Sequence, residues 1–449
     1  MSLTFFLKQN FNKLPFGPRT GKLISYIPYS FRPGLASSYR KASKSIIQYA
    51  QFDLNQRQDF IFNNIKKLVD HAYNHTKFYK EFYDTHSFDP RTLKKFNDIE
   101  KIPIVDKSIL LKYSIEDRSM RNTKGFAKAN TGGSSGKPLT FYTTPDAIGH
   151  EWAHIHSFWK LLGYNPKKVM LGFGGRSNVK DVVDYDLIRN KFNIDLYADF
   201  NRVKNKLIPI LKSNKIEYLH GYPSAIFEFA KFCDEDKSEL LQLLKRNLKG
   251  AFFSSEFPHL HYRNPIEKIF DIQTQSFYGH TERCVMAYEK DEKYIFHVAQ
   301  TYGYAEIVDN YLIGTSYNSY GTPLIRYNTN DLVEKVTGEG DILKSFKVKQ
   351  GRDGDYILDS NHKKITLTGL IFGRHHKLFD YVEHIQVYQD SPGLCSILYT
   401  SNSDISSEKA KELFDANNVN MNFKFIKLNE PLKTVSGKVL LKVKDLSNI

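Results

Sequence analysis

The sequence predicts an α/β protein: a large N-terminal domain of mixed β-sheet flanked by helices, residues 1–351, then a small α+β domain, residues 352–449. Three observations point there. From about residue 125, short β-like runs alternate with helical ones, the pattern of strands joined by helices. The 449 residues exceed what one compact core holds. After Gly351-Arg352 the alternation starts afresh and runs for roughly a hundred residues, enough for a small domain.

The first hundred residues read as helical. Ile61, Ile65, Leu68, Val69 and Ala72 recur at helical spacing and predict one buried face. Pro90 breaks that pattern. Residues 101–105 form a short apolar stretch before another helix. Strands are then expected at residues 169–173, ending in Gly174-Gly175, and at 216–219, running into Gly221. A helix follows with Ile226, Phe229, Ala230 and Cys233 on one face. Further strands are expected at 251–253 and 272–278, and a hairpin at 304–315. In such a sheet the loops at strand ends bind ligands.

The formal net charge is +15, from 64 Lys and Arg against 49 Asp and Glu. Basic residues form no long block and no zinc-finger or RNP-type pattern, so no nucleic-acid partner is expected. A Lys-rich surface accounts for the charge most simply, with anionic substrates the second reading. The three cysteines, Cys233, Cys284 and Cys395, make no CxxC pair. Such usage fits a reducing, cytoplasmic compartment. No apolar run reaches transmembrane length. The basic, aromatic N-terminus lacks a signal core; it packs on its own domain or touches a membrane surface peripherally.

Five motifs carry chemistry. Thr131, Gly132, Gly133, Ser134, Ser135, Gly136 and Lys137 form a loop whose backbone N–H groups, hydroxyls and ammonium can cradle phosphate. Pro138 and the strand-like residues after it exclude a Walker loop, and a plain hairpin turn is the alternative. Tyr278, Gly279, Thr281 and Glu282 end a strand: an aromatic ring can lie on a base, a hydroxyl can bond phosphate, and a carboxylate can hold Mg²⁺. Asp331, expected after a strand in Arg326–Asp331, could grip ribose hydroxyls. Gly351, Arg352 and Asp355 lie at the domain boundary, and Lys438 follows Ser436-Gly437.

Taken in this order, the motifs resemble the acyl-adenylate-forming superfamily, and most of all its phenylacetate-CoA ligase group with the CapK-like members linked to capsule polysaccharide synthesis. Gly221-Tyr222-Pro223-Ser224, Ser254-Ser255-Glu256 and Tyr278–Arg283 also carry the resemblance, which runs from about residue 50 onward. It implies that residues 131–137 hold the β- and γ-phosphates of ATP. Tyr278 would lie against adenine with Ser255 and Glu256 nearby, Thr281 would touch the α-phosphate, and Glu282 would bind Mg²⁺. Asp331, assisted by Arg352, would hold the ribose. Lys438 would enter from the small domain, a mobile lid, toward the reacting carboxylate. His220, Gly221 and Tyr222 would line the acyl pocket, although a structural histidine is an equal reading of His220. The implied reaction joins a small-molecule carboxylic acid to AMP and passes the acyl group to coenzyme A or to an amine such as an amino-sugar precursor.

Three departures stand out. The usual Thr-Gly-Asp is Thr329-Asn330-Asp331, and Asn also tolerates left-handed backbone. The phosphate loop has Gly132 where Ser is common, and Ser134-Ser135 where Thr is common. Gly354 stands at the hinge position, with Asp353 or Asp355 as alternatives. Two rivals are an amide-forming ligase that uses no coenzyme A and a basic binding protein with a relic nucleotide pocket. The intact Glu282, Asp331 and Lys438 argue against the relic. His375-His376 and His259/His261 have no cysteine partners, so zinc is not expected. Cys284 reads as a small buried thiol rather than a nucleophile. The oligomeric state and the identity of the acid are not legible.

Overall fold

The computed structural model describes residues 18–32, 35–131, 139–176, 179–236, 238–349, 355–372, 374, 376–382, 384–401, 403–432, 441–443 and 446. The N-terminal helices are α1 (Ala36–Tyr49), α2 (Leu54–His75) and α3 (Lys77–Thr85). Asp53 and Gln56 close a reciprocal capping box at the start of α2, satisfying two backbone donors that the helix leaves open. Ile61, Ile65, Leu68, Val69 and Ala72 are all fully buried, as their spacing predicts. Pro90 begins a single 3₁₀ turn, so the helical pattern does stop there.

A hairpin of β1 (Ala127–Asn130) and β2 (Thr140–Thr143) follows, and then α4 (Pro145–Trp159). The strand expected after Pro138 is therefore present. The next elements are β3 (Val169–Phe173), β4 (Val183–Asp186), β5 (Lys191–Ile194), α5 (Phe200–Ser213), β6 (Ile216–Gly221), α6 (Pro223–Glu235), β7 (Gly250–Phe253), α7 (Leu260–Phe270) and β8 (Gln273–Gly279). Strands β5, β3, β6, β7 and β8 are parallel neighbours, with antiparallel β4 on the edge. Their apolar faces and helices α5, α6 and α7 share one core that contains Phe173, Leu219, Phe229, Cys233, Phe253 and Phe270.

Strand β8 pairs with β7 through its first half and with β9 (Met286–Glu289) through its second. The sheet continues antiparallel through β10 (Phe296–Val298), β11 (Gly303–Val308), β12 (Tyr311–Ser316), β13 (Tyr327–Glu339) and β14 (Ile342–Val348). The twelve strands run in the order β11-β12-β13-β14-β10-β9-β8-β7-β6-β3-β5-β4. The β11–β12 hairpin turns on Asp309 and Asn310, at φ of 50° and 65°, the twist a tight two-residue hairpin requires. Helices α2 and α3 pack on the antiparallel half through Phe78, Tyr79, Tyr304, Leu324 and Phe346.

Beyond residue 354 lie the β15–β16 hairpin (Tyr356–Leu358, Lys364–Thr366), then β17 (His384–Ser391), β18 (Leu394–Thr400), α8 (Ser407–Leu413), β19 (Asn422–Lys427) and β20 (Lys442–Val443). The last four strands form a sheet in the order β19-β18-β17-β20. Their core, from Ile357 to Leu441, is distinct from those of the large sheet and, among the described residues, takes in Tyr197 from outside. Among the described residues, no helix is long and apolar enough to cross a membrane.

Candidate active site

The carboxyl ends of β3, β6 and β7 lie level, because Phe173 pairs with Gly221 and Gly221 with Phe253; β8 runs three residues past its Phe253 partner, Ser276, to Gly279. Three of the segments that leave these ends, Gly174–Arg176, Tyr222 and Ser254-Ser255, share one cavity. A cavity of about 220 Å³ opens there, lined by Gly174, Gly175, Arg176, Lys191, His220, Gly221, Tyr222, Ser254 and Ser255. Such an opening at the carboxyl ends of parallel strands is where this sheet type binds ligands.

Tyr278 ends β8 with its ring against Phe296 and Phe346, and its hydroxyl donates to Asp331 Oδ2 at 2.6 Å. The two residues are 53 positions apart, yet the fold joins them. Asp331 lies within β13, not after a strand as expected. The β12–β13 ladder slips in register between Tyr311 and Ile313, and Asn330 adopts φ 59°. That slip turns Asp331 toward Tyr278, and Asn330 takes the left-handed backbone its side chain tolerates.

Glu282 stands 3.3 Å from His280 Nδ1 and accepts a hydrogen bond from Tyr327 Oη at 3.3 Å. Burial disfavours its charge, but His280 and the Lys107 ammonium hold the carboxyl below its ordinary range. An ionised hard-oxygen donor of this kind suits Mg²⁺. Among the described residues, no group of three or more His, Cys, Asp and Glu side chains could hold a metal. Thr281 is exposed beside Glu282.

Other residues singled out by sequence fall differently. Thr131 is buried, and its Oγ1 accepts from Leu139 N–H at 2.9 Å, closing the base of the hairpin. Gly132 to Lys137, Arg352, Asp353, Gly354 and Lys438 lie outside the described residues. Asp355 is exposed, and its carbonyl accepts from Leu367 N–H at 2.8 Å. Ser255, at φ 69°, lines the cavity. Glu256 reaches the start of α6, where Oε2 accepts from Ser224 Oγ at 2.6 Å; burial pushes its pKa up against that bond. His220 lines the cavity, with Nε2 3.4 Å from Ser254 Oγ and its ring 4.9 Å from Trp159. Burial, Lys191 and Arg176 hold its pKa well below the ordinary value, so the imidazole is neutral. Arg326 is structural: it grips Glu306 through two nitrogens and donates to the Glu100 and Ile102 carbonyls. Cys284 is fully buried and burial raises its thiol pKa, in line with an inert core cysteine. Sequence reasoning missed Arg176 and Lys191, which sit in no motif and reach the cavity only once β5 lies beside β3.

No family model matches the sequence. CapK of Staphylococcus aureus is 26% identical over 416 residues, spanning 86% of this chain and 87% of CapK. A crystal structure of 2-hydroxyisobutyryl-CoA ligase with 2-HIB-AMP and CoA, in the thioesterification state, superposes with a TM-score of 0.54 at 16% identity, over 88% of this chain and 91% of that one. The same ligase in the postadenylation state with R3-HIB-AMP gives 0.51 at 15% identity, with the same coverage. This chain thus has the fold of the acyl-adenylate-forming ligases. In sequence it is similar to CapK over most of both chains.

Proposed function

We propose that this chain is an ATP-dependent ligase of the phenylacetate-CoA ligase type. It joins a carboxylic acid to AMP with release of pyrophosphate, then passes the acyl group to coenzyme A or to an amine, in capsule or O-antigen polysaccharide synthesis in the cytoplasm. The observation that carries this reading is the Tyr278–Asp331 pair. It joins an aromatic ring and a carboxylate at the end of β8, near Glu282, in the fold of adenylate-forming enzymes; the parallel strands β3, β6 and β7 end at a cavity of about 220 Å³.

On this reading the adenine lies along Tyr278 and the ribose hydroxyls donate to Asp331, assisted by Arg352. Thr281 bonds the α-phosphate, and residues 131–137 hold the outer phosphates. Two anions meet when a carboxylate attacks phosphorus, so the site must supply positive charge in a water-poor space. Mg²⁺ held by Glu282 supplies part of it when bound. Lys438 supplies the rest, carried in by the domain of residues 352–449 as it closes on residues 1–351. The hinge lies at residues 353–355, and opening there re-exposes the acyl-AMP for transfer. Neutral His220, Gly221 and Tyr222 border the acyl group.

Isotope exchange between ATP and pyrophosphate with a panel of acids tests the proposal. Exchange should depend on one acid class and fall by about a thousandfold in Lys438→Ala, the scale for removing a charge that acts on the transition state. Product analysis with and without coenzyme A then separates thioester from amide formation. Mg-ATP binding too weak to detect in the wild-type chain would overturn the proposal in favour of a polyanion-binding role.

A further inference from the structure

The wall of the cavity at β3 and β6 is cationic, which an alkyl or aryl acid would not require. Lys191 opens β5 and Arg176 follows β3, and both line the cavity beside His220. Room for the lysine is built in: a side chain on Gly172 would meet Lys191 Cδ at 2.9 Å and Cε at 3.0 Å, so the stem lies flat across that glycine. Neighbouring charges do not neutralise it. Asp186 is shared by Arg189 at 2.9 Å and Arg176 at 3.6 Å. The Asp184 carboxylate accepts from Asn193 at 3.0 Å, and Glu151 pairs with Arg283 at 3.0 Å. Among the described residues, no carboxylate lies within ion-pair distance of Lys191.

Three cations, Arg176, Arg189 and Lys191, thus gather around Asp186, with Lys191 left facing the cavity. A half-buried ammonium beside two guanidinium groups, with Asp186 shared between those two, favours the arrival of an anion. Burial, with Arg176 and Arg189 nearby, pushes the Lys191 pKa down to about 7, so an arriving anion would recharge it.

Building on the adenylation reading, we infer that the acid taken by this site is a dicarboxylic acid: one carboxylate faces ATP and the other is held by Lys191 and Arg176. The small cavity favours a short chain, and the neutral His220 and Ser254 offer polar contacts between the two ends.

The test measures binding by calorimetry to the full chain for length-matched pairs: succinate against butyrate, glutarate against pentanoate, adipate against hexanoate. It uses wild type, Lys191→Met, which keeps the stem, and Arg176→Gln, which guards against a folding defect in the first variant. At least one dicarboxylate should bind about tenfold or more tightly than its partner in wild type, the worth of a charge-assisted pair. The preference should shrink to about twofold in each variant that folds. Equal binding of each pair in wild type, no binding of any dicarboxylate, or a preference that both variants retain would overturn the inference. ATP–pyrophosphate exchange with the same six acids separates the two claims. Lys191-dependent binding without exchange overturns adenylation and supports the anion site. Exchange with monocarboxylates that Lys191→Met leaves unchanged overturns the dicarboxylate assignment while adenylation stands.

Discussion

The Tyr278 hydroxyl is one of the groups that orient Asp331. Tyr278 Oη donates to it at 2.6 Å from a ring packed edge-on against Phe296 and Phe346. Tyr278→Phe keeps that packing and removes the donor. ATP affinity measured by calorimetry should weaken by about threefold to tenfold, the range for one hydrogen bond, while the urea midpoint drops modestly. Unchanged affinity would mean that the pair is structural only. Lys191 makes a second prediction at this scale, with Arg176, Arg189, Asp184, Asp186 and His220 as its charged and titratable surroundings. Its folded pKa is depressed to about 7, against about 10.4 in an unfolded chain. Between those values the unfolded chain holds a proton that the folded chain lacks. Stability from this group therefore rises with pH across that window and is flat below it. The urea midpoint of wild type relative to Lys191→Met should increase between pH 7 and 9.5. A constant difference would show that Lys191 titrates normally.

At the scale of elements, the end of β6 fixes the crevice. Gly221 has φ of 151°, and a Cβ there would lie 2.1 Å from the Phe173 carbonyl oxygen. Only glycine lets β6 run level with β3 before α6 begins. Gly221→Ala should cost about 2 kcal/mol or more in urea unfolding, because strain and overpacking combine. A loss under about 0.5 kcal/mol would mean that the strand ends can part freely. Strand β13 shows the complementary device. Its register slip lets an irregular Asn330 present Asp331 from inside a strand, where an unbroken ladder would aim alternate residues strictly up and down.

For the whole molecule, the small C-terminal unit rests on the crevice rim. Lys363 Nζ donates to the Ala198 carbonyl at 2.6 Å and lies 4.3 Å from the Phe200 ring, and Arg374 stacks 4.5 Å from the Tyr197 ring. Gly175 and Gly369 meet backbone to backbone: a Cβ on Gly175 would sit 2.8 Å from Gly369 Cα. Gly175→Val should push the two units apart. Hydrogen exchange in residues 364–371 should accelerate by about tenfold or more while β6 and β7 keep their protection, because local opening leaves the main core intact. Unchanged exchange in that segment would show that the contact does not hold the units together.

The sequence alone determined the elements whose signals are local. The buried face of α2 was set by a 3.6-residue period, the β11–β12 hairpin by alternation, and the strands before Gly174 and Gly221 by short apolar runs. The order of motifs was also legible, and with it the adenylate-forming resemblance and the roles expected of Tyr278, Glu282 and Asp331. Tertiary structure decided the rest, because those features depend on residues far apart in the chain. Alternation could not show that β8 joins a parallel half-sheet to an antiparallel one, since pairing partners leave no mark on a single strand. Nor could it place Asp331 inside β13, which follows from a register slip against β12. The bond from Ser224 to Glu256, which ties the loop after β7 to the start of α6, left no mark in the sequence. Lys191 and Arg176 looked like two surface cations among 64 Lys and Arg residues. Only the laying of β5 beside β3 brings Lys191 up to Arg176 at the cavity, because position in the sheet, not residue type, sets a lysine against incoming anions.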